Sequence, residues 1–323
     1  MAQFNAGYPD LMQRLVIFGI FAIGFNILFG LTGYLSFGHA AFLGVGAYTQ
    51  AVAINAGLPL IVALVGAMAL SAVIGVIVAI PALRVRGVFL GMATLALGII
   101  LEEAFARWES VTGGNAGLFV QSPTLLGIEL SDSTPYYFLC LVLTIAVTLG
   151  VANLLRSPTG RAFVAIRDSE ISAQSMGIPL ARYKTLAFAI SAALTGLGGA
   201  LYAHKIQFLT PEQFGIIQSI DLLLLIVIGG LGSIHGAFLG AIFLITMPQI
   251  ISSAKDYLPS SVADAPGLSA LVYGAVLVLF VLFEPLGLYG RWLKVRAYIQ
   301  LFPLYRRGMF ERQKSFQKSE RLK

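Results

Sequence analysis

Long apolar segments separated by short polar ones dominate this sequence and decide what it can fold into. Each is close to the roughly 20 residues that a helix needs to cross the hydrocarbon core of a bilayer. Only 11% of the residues are charged, whereas a soluble domain averages about 25%, so the chain needs lipid as its solvent. We predict an all-α polytopic integral membrane protein with about nine transmembrane segments. They are residues 11–31, 30–55, 58–83, 88–105, 135–155, 185–203, 216–231, 234–253 and 268–288.

Glycines interrupt some of these segments. Residues 30–55 contain five glycines, and each weakens a helix by about 1 kcal/mol relative to alanine, which predicts a broken or closely packed helix. After a break at 232–233, Gly232, Gly236 and Gly240 recur at spacing four. Small residues at this spacing allow two helix backbones to approach closely in a membrane. We therefore predict that these three glycines form a helix-packing face.

Residues 156–184, which we call the polar island, separate two apolar halves of the chain. The polar island contains five arginines and lysines, and each costs about 2.5–3.5 kcal/mol at the bilayer centre, so we expect the whole island to lie in water. Asp168 or Ser169 can cap a short helix that runs to Met176, and Gly177 suits the left-handed position that ends a helix. This helix is either a docking site for a soluble partner or part of an ordinary solvated loop.

Positive charge predicts the orientation and the domain organisation. The net charge is +6, and the basic residues lie mainly at 84–86, in the polar island and in residues 291–323. Alternating crossings place all three on the cytoplasmic side with the N-terminus outside, so the charge reflects membrane orientation rather than nucleic-acid binding. We predict a transmembrane domain at 1–290 and a basic cytoplasmic tail at 291–323. The tail either binds anionic lipid headgroups or has a specific docking role.

Familiar catalytic motifs are missing from the sequence. It contains no phosphate-binding loop, no H-E-x-x-H and no G-x-S-x-G, which are the patterns of ATP binding, zinc hydrolysis and serine hydrolysis. His39, His204 and His235 each lack a second ligand at metal spacing. We predict no enzyme activity, no cofactor and no metal site in this chain.

Polar residues within membrane segments are functional candidates by default. Tyr34, Ser36 and His39 lie in the glycine-rich segment and are the predicted substrate path. His39 either lines that path or packs helices together, and Asn26 has the same two alternatives. No acidic residue falls at a convincingly central position, as ion-coupled carriers usually require, so energy has to come from a partner.

Five stretches of the sequence together resemble one family. They are 33–47 (GYLSFGHAAFLGVGA), 86–97 (RGVFLGMATLAL), 112–118 (TGGNAGL), 165–203 and 229–240 (GGLGSIHGAFLG). The family is that of LivM-type permease subunits of ATP-binding-cassette importers for branched-chain amino acids. The resemblance implies a multi-pass subunit of the bacterial inner membrane. Its implied partners are a second homologous permease, two cytoplasmic ATP-binding subunits and a periplasmic substrate-binding protein.

The resemblance also implies that the polar island is the loop that couples the permease to its ATPases. Importer permeases typically carry E-A-A-x-x-x-G there, whereas in this chain Glu170 precedes Gly177 by seven positions rather than six. The predicted ATPase-coupling residues are Ser169, Glu170, Ile171, Ala173, Met176 and Gly177.

Three alternatives to a branched-chain amino acid permease remain at this stage. The same family includes permeases for urea and short amides. An ion-coupled secondary carrier would work without an ATPase partner, and its uptake would collapse with the ion gradient. A membrane-embedded enzyme is the third, and the missing catalytic motifs argue against it.

Overall fold

The computed structural model describes residues 2–83, 85, 87–125, 128–129, 133–255, 267–283 and 287–301. Within them the fold is all-α, as predicted, with a π-turn at Ile27–Leu31 that extends the first helix. The helices are α1 (Ala2–Asn26), α2 (His39–Asn55), α3 (Leu60–Ala82), α4 (Val88–Arg107), α5 (Glu109–Thr112), α6 (Ser133–Arg156), α7 (Pro158–Asp168), α8 (Glu170–Ser175), α9 (Leu180–Ile206), α10 (Ile216–Gly229), α11 (Ile234–Lys255), α12 (Leu268–Phe283) and α13 (Gly287–Leu301).

Seven helical segments in the described part of the chain are long and apolar enough to cross a membrane. They are Asp10–Leu31, Leu60–Ala82, Val88–Arg107, Thr134–Arg156, Leu180–Ile206, Pro211–Gly229 and Ile234–Ala254. Each predicted apolar segment contains a helix in its described residues, but α2 and α12 have only 17 and 16 residues. At 1.5 Å per residue they are somewhat shorter than the roughly 30 Å hydrocarbon core. The chain is therefore polytopic, and the count of about nine stays a prediction.

The glycine-rich helix α2 is largely buried and packs against both α3 and α9, which also pack directly on each other. Its glycines permit direct backbone contact, because a Cβ atom on Gly46 would overlap the backbone of Gly196 on α9. The helical conformation is interrupted before α2, where Gly33 has a φ of +76°. This segment is thus both broken and closely packed. By contrast, α3 carries exposed aliphatic side chains such as Val65 and Ile77, as expected of a helix that faces lipid.

Of the three glycines in the predicted packing face, Gly236 and Gly240 lie on α11 and Gly232 does not. Gly232 has a φ of +76° and lies in the break between α10 and α11, because α11 begins at Ile234. Gly236 and Gly240 do pack closely on α10, where a Cβ atom on Gly240 would overlap the carbonyl of Leu225.

Short irregular elements join the helices at the end of the bundle opposite the polar island. Strand β1 (Leu118–Phe119) pairs antiparallel with β4 (Phe208–Leu209), and β2 (Thr124–Leu125) pairs with β3 (Ile128–Glu129). The Asn55 side chain, at the end of α2, donates to the carbonyl of Phe119 at 2.7 Å. The segment between α5 and α6 therefore contains small strands that connect it to the ends of α2 and α9.

Residue 291, where the predicted tail begins, lies inside a helix. Helix α13 continues to Leu301, and in its first turn Tyr289 stacks on His235 of α11 with 5.6 Å between ring centroids. The predicted boundary at residue 290 therefore falls within α13, and the division into domain and tail stays a prediction. The rest of the predicted tail, 302–323, lies outside the described residues.

Candidate functional site: the polar island and two helix breaks

The polar island contains two helices, α7 and α8, and not the single short helix that was predicted. Ser157 caps α7, since its Oγ accepts a hydrogen bond from the backbone N–H of Gly160 at 3.3 Å, and Pro158 occupies the first helical position. Phe163 and Ile166 are buried beneath the helix. The signal that could have identified α7 is the Ser-Pro pair, because proline is favoured at the first position of a helix and serine at its cap.

Helix α8 begins and ends where the sequence predicts. The Ser169 Oγ accepts from the N–H of Ser172 at 3.2 Å, and Gly177 takes a φ of +83° just beyond the helix. Ile171 and Met176 project into solvent with 74% and 81% of their surfaces exposed, whereas Ala173 faces the body of the protein and is buried. Two of the six predicted coupling residues are thus large exposed apolar side chains.

Glu170 is held by a buried ion pair. Its carboxylate lies 2.9 Å from the Lys184 ammonium, and the two side chains are only 19% and 5% exposed. The Tyr34 hydroxyl donates to the same carboxylate oxygen at 3.0 Å, and the ammonium lies 4.7 Å from the centre of the Tyr34 ring. Lys184 was expected in water with the rest of the polar island, and that expectation is wrong because this pair satisfies its charge. The pair joins α8 to α9 and to the segment before α2.

Arg167, in the last turn of α7, reaches the break between α1 and α2. Its Nη1 donates to the carbonyl of Gly30 at 3.1 Å, and its Nη2 lies 3.4 Å from a carboxylate oxygen of Asp168. A Cβ atom on Gly33 would lie 3.2 Å from the Arg167 Cγ, and one on Gly232 would lie 3.1 Å from Nη1. Glycine at both positions leaves the space that the arginine side chain occupies.

Asn26 connects this first break to the second one, at residues 230–233. Its Oδ1 accepts from the N–H of Gly232 at 2.9 Å, and its Nδ2 donates to the carbonyl of Ser233 at 3.0 Å. Of the two alternatives for Asn26, the structure favours helix packing. The two breaks therefore meet each other directly beneath the polar island, which the sequence did not predict.

The three predicted path residues have different surroundings. Tyr34 lies against Glu170 at the polar island, and Ser36 is fully buried. His39 is also fully buried, with its Nε2 2.8 Å from the Thr195 hydroxyl and its ring stacked on Phe25 at 4.2 Å. These contacts favour the helix-packing alternative for His39, and the substrate path stays a prediction.

A polar cavity of about 710 Å³ lies at the opposite end of the bundle. Glu102, Glu103, Glu109 and Glu212 line it together with Arg107, which pairs with Glu103. The molecule thus has an acidic end and a basic end. A bundle of long apolar helices, broken at glycines and carrying two packed polar helices at one end, defines a polytopic membrane permease.

Comparison with known proteins agrees with this class. The chain belongs to the family described as the permease component of branched-chain amino acid transport systems, whose sequence profile matches residues 9–281. It is 32% identical to the high-affinity branched-chain amino acid transport system permease protein LivM of Salmonella typhimurium strain LT2 over 309 residues, which cover 88% of this chain and 70% of that protein. The LivM protein of Escherichia coli K12 is 32% identical over 311 residues, with the same coverage.

A weaker similarity links the chain to a permease named for another substrate. The autoinducer 2 import system permease protein LsrC of Enterobacter sp. strain 638 is 28% identical over 220 residues, which cover 65% of this chain and 61% of that protein. No solved structure matches the chain significantly.

Proposed function

We propose that this chain is the membrane-spanning subunit of an ATP-driven importer that carries leucine, isoleucine and valine across the bacterial inner membrane. Its partners would be a second homologous permease, two cytoplasmic ATP-binding subunits that hydrolyse the nucleotide, and a periplasmic substrate-binding protein. The observation that carries the proposal is the exposed apolar pair formed by Ile171 on α8 and Met176 at its C-terminal cap. The Glu170–Lys184 ion pair holds this helix against the body of the protein.

The exposed pair fits a docking contact with an ATP-binding subunit. Burying one large aliphatic side chain stabilises a contact by about 1.5–3 kcal/mol, so two of them, one on α8 and one at its C-terminal cap, favour an apolar groove on a partner. Ser169, Gly177 and the buried Ala173 hold the helix in place rather than contact the partner. In this arrangement the partner can push or pull on α8 without separating it from the membrane helices.

The orientation follows from the positions of the basic residues. Arg161, Arg167 and Arg182 belong to the polar island, and α13 adds Arg291 and Lys294. The α10–α11 break lies next to both α13 and the polar island, so these basic residues lie at one end of the bundle. The positive-inside rule makes this end cytoplasmic, which puts the N-terminus, the small strands and the acidic cavity on the periplasmic side.

The substrate assignment rests on the two LivM relatives, whose names state branched-chain amino acids. Competition in proteoliposomes tests it: unlabelled isoleucine and valine should displace labelled leucine, whereas urea and acetamide should not. Displacement by urea instead would assign the chain to an amide permease. Leucine uptake that needs a proton or sodium gradient and no ATP would contradict the proposal as a whole.

The docking assignment is tested with a matched pair of variants on α8. Ile171→Asp puts a charge into the proposed contact, and Gln174→Asp puts the same charge on another exposed position of the same helix. After purification in mild detergent, Ile171→Asp should retain the ATP-binding subunits at least about tenfold less than Gln174→Asp, which corresponds to about 1.4 kcal/mol. Equal retention by the two variants would show that α8 is not the docking helix.

A further inference from the structure

We infer that Arg167 and Asn26 are positioning residues, which carry the motion of the polar island to both helix breaks at once. This inference rests on the proposed function, because it assumes that an ATP-binding subunit moves α8. It assigns to Arg167 a role separate from docking. Arg167 lies on α7, and its Nη1 points to Gly30 in the membrane domain, whereas Ile171 and Met176 point into solvent.

The first step of the argument is that Arg167 touches both breaks. Its guanidinium donates to Gly30 in the π-turn that follows α1 and lies beside Gly232, and its Cγ lies beside Gly33. A π-turn disturbs the regular hydrogen bonding of a helix and is often found at functional sites. A displacement of α7 therefore acts at the point where α1 stops being a regular helix.

The second step is that the two breaks are packed tightly against each other. Asn26 holds the backbone of Gly232 and Ser233 through two hydrogen bonds, and a Cβ atom on Gly30 would lie only 2.5 Å from the Gly232 nitrogen. Close-packed interiors have low compressibility and transmit strain. A movement of Gly30 therefore has to move residues 230–233 with it.

The third step is that each break can act as a hinge. Gly33 and Gly232 both have a φ of +76°, and hinge motions are absorbed by a few residues in loops or at the ends of helices. A displacement of α7 thus changes the angle between α1 and α2 and the angle between α10 and α11 together. Two helix pairs moving in concert is what a permease needs to alternate between its outward-open and inward-open forms.

The test measures leucine transported per ATP hydrolysed by the complete complex, with its ATP-binding subunits and binding protein, in proteoliposomes. Arg167→Ala should lower this ratio at least about fivefold, the lower limit of a typical coupling between sites, while the ATP-binding subunits stay bound. Arg161→Ala is the matched control, since Arg161 lies on the same helix and its guanidinium contacts only the nearby carbonyl of Arg156 among the hydrogen bonds of the described residues. Arg167→Lys keeps the positive charge and can still donate a hydrogen bond. It should therefore restore part of the leucine transported per ATP.

Several outcomes would overturn the inference. A wild-type ratio in the assembled Arg167→Ala complex would do so, as would an equal fall in Arg161→Ala. Asn26→Leu removes the second connection and should also lower the ratio. If that variant does not insert into the membrane, the comparison of Arg167→Ala with Arg161→Ala decides. Loss of the ATP-binding subunits from Arg167→Ala would make Arg167 a docking residue. If the wild-type chain itself retains no ATP-binding subunits, the proposed function fails, and this inference fails with it.

Discussion

Glu170 and Lys184 form an ion pair with 2.9 Å between oxygen and nitrogen, although the sequence places both in the most polar segment of the chain. The pair lies between α8 and α9 and is covered by the ring of Tyr34. It fixes the position of α8 while the opposite side of that helix stays open to a partner. A helix that has to deliver force benefits from such a rigid attachment.

Loss of one member of this pair should destabilise the protein strongly. Lys184→Met leaves the Glu170 carboxylate buried without its cation, which costs about 3–5 kcal/mol when burial is complete and less here, because Glu170 keeps some exposure. Arg182→Met, an exposed position two residues earlier, should change stability by about 0.5 kcal/mol or less. The measurement is thermal unfolding in detergent. Comparable melting temperatures for the two variants would show that the ion pair contributes little.

Bulk between α10 and α11 should block transport without preventing insertion. A Cβ atom on Gly236 would lie 2.5 Å from the carbonyl oxygen of Gly230 and 2.9 Å from that of Gly229. Gly236→Leu should therefore abolish uptake, because overpacked helices cannot change their angle. Gly150→Leu is the control, since no atom lies within 4 Å of a Cβ atom there. Normal uptake by Gly236→Leu, with membrane insertion confirmed by accessibility labelling, would refute the packing argument.

His39 provides a test between helix packing and the substrate path. His39→Leu leaves the Thr195 hydroxyl without its partner at 2.8 Å, which should lower stability by about 1–3 kcal/mol. If His39 only packs helices, the KM for leucine uptake by the inserted fraction should stay within about twofold of the wild type. A large rise in KM with unchanged stability would instead place His39 on the path.

The glycine that ends α8 should matter for docking as well as for stability. Gly177 has a φ of +83°, and alanine in this left-handed conformation costs about 1–2 kcal/mol. Gly57, with a φ of +81°, is the matched control, because a Cβ atom at either position would have no atom within 4 Å and Gly57 lies at the far end of α2. Both alanine variants should lower the melting temperature similarly. Only Gly177→Ala should weaken retention of the ATP-binding subunits. Equal retention by both variants would show that the C-terminal end of α8 takes no part in docking.

Local sequence patterns predicted much of this fold. The apolar segments marked the helices that are long and apolar enough to cross a membrane. A chain with so few charges has no other way to solvate itself and has to form its backbone hydrogen bonds within helices. The cap at Ser169 and the left-handed Gly177 were also predictable, since both depend on residues close by in the chain. Helix α7 was missed although its Ser-Pro start was visible, because the five basic residues were interpreted as evidence for a loop.

Other features depend on residues far apart in the chain. The sequence alone determined that this is a helical membrane protein with a polar island between two apolar halves, because hydrophobicity and helix caps act over a few residues. Only the tertiary structure decided that Lys184 is buried, that Gly232 belongs to a break rather than to a helix face, and that Asn26 bonds to Ser233, 207 positions away. The charge of Lys184 and the amide of Asn26 can be satisfied inside the protein only by partners that folding brings to them, and no local pattern records which partners those are.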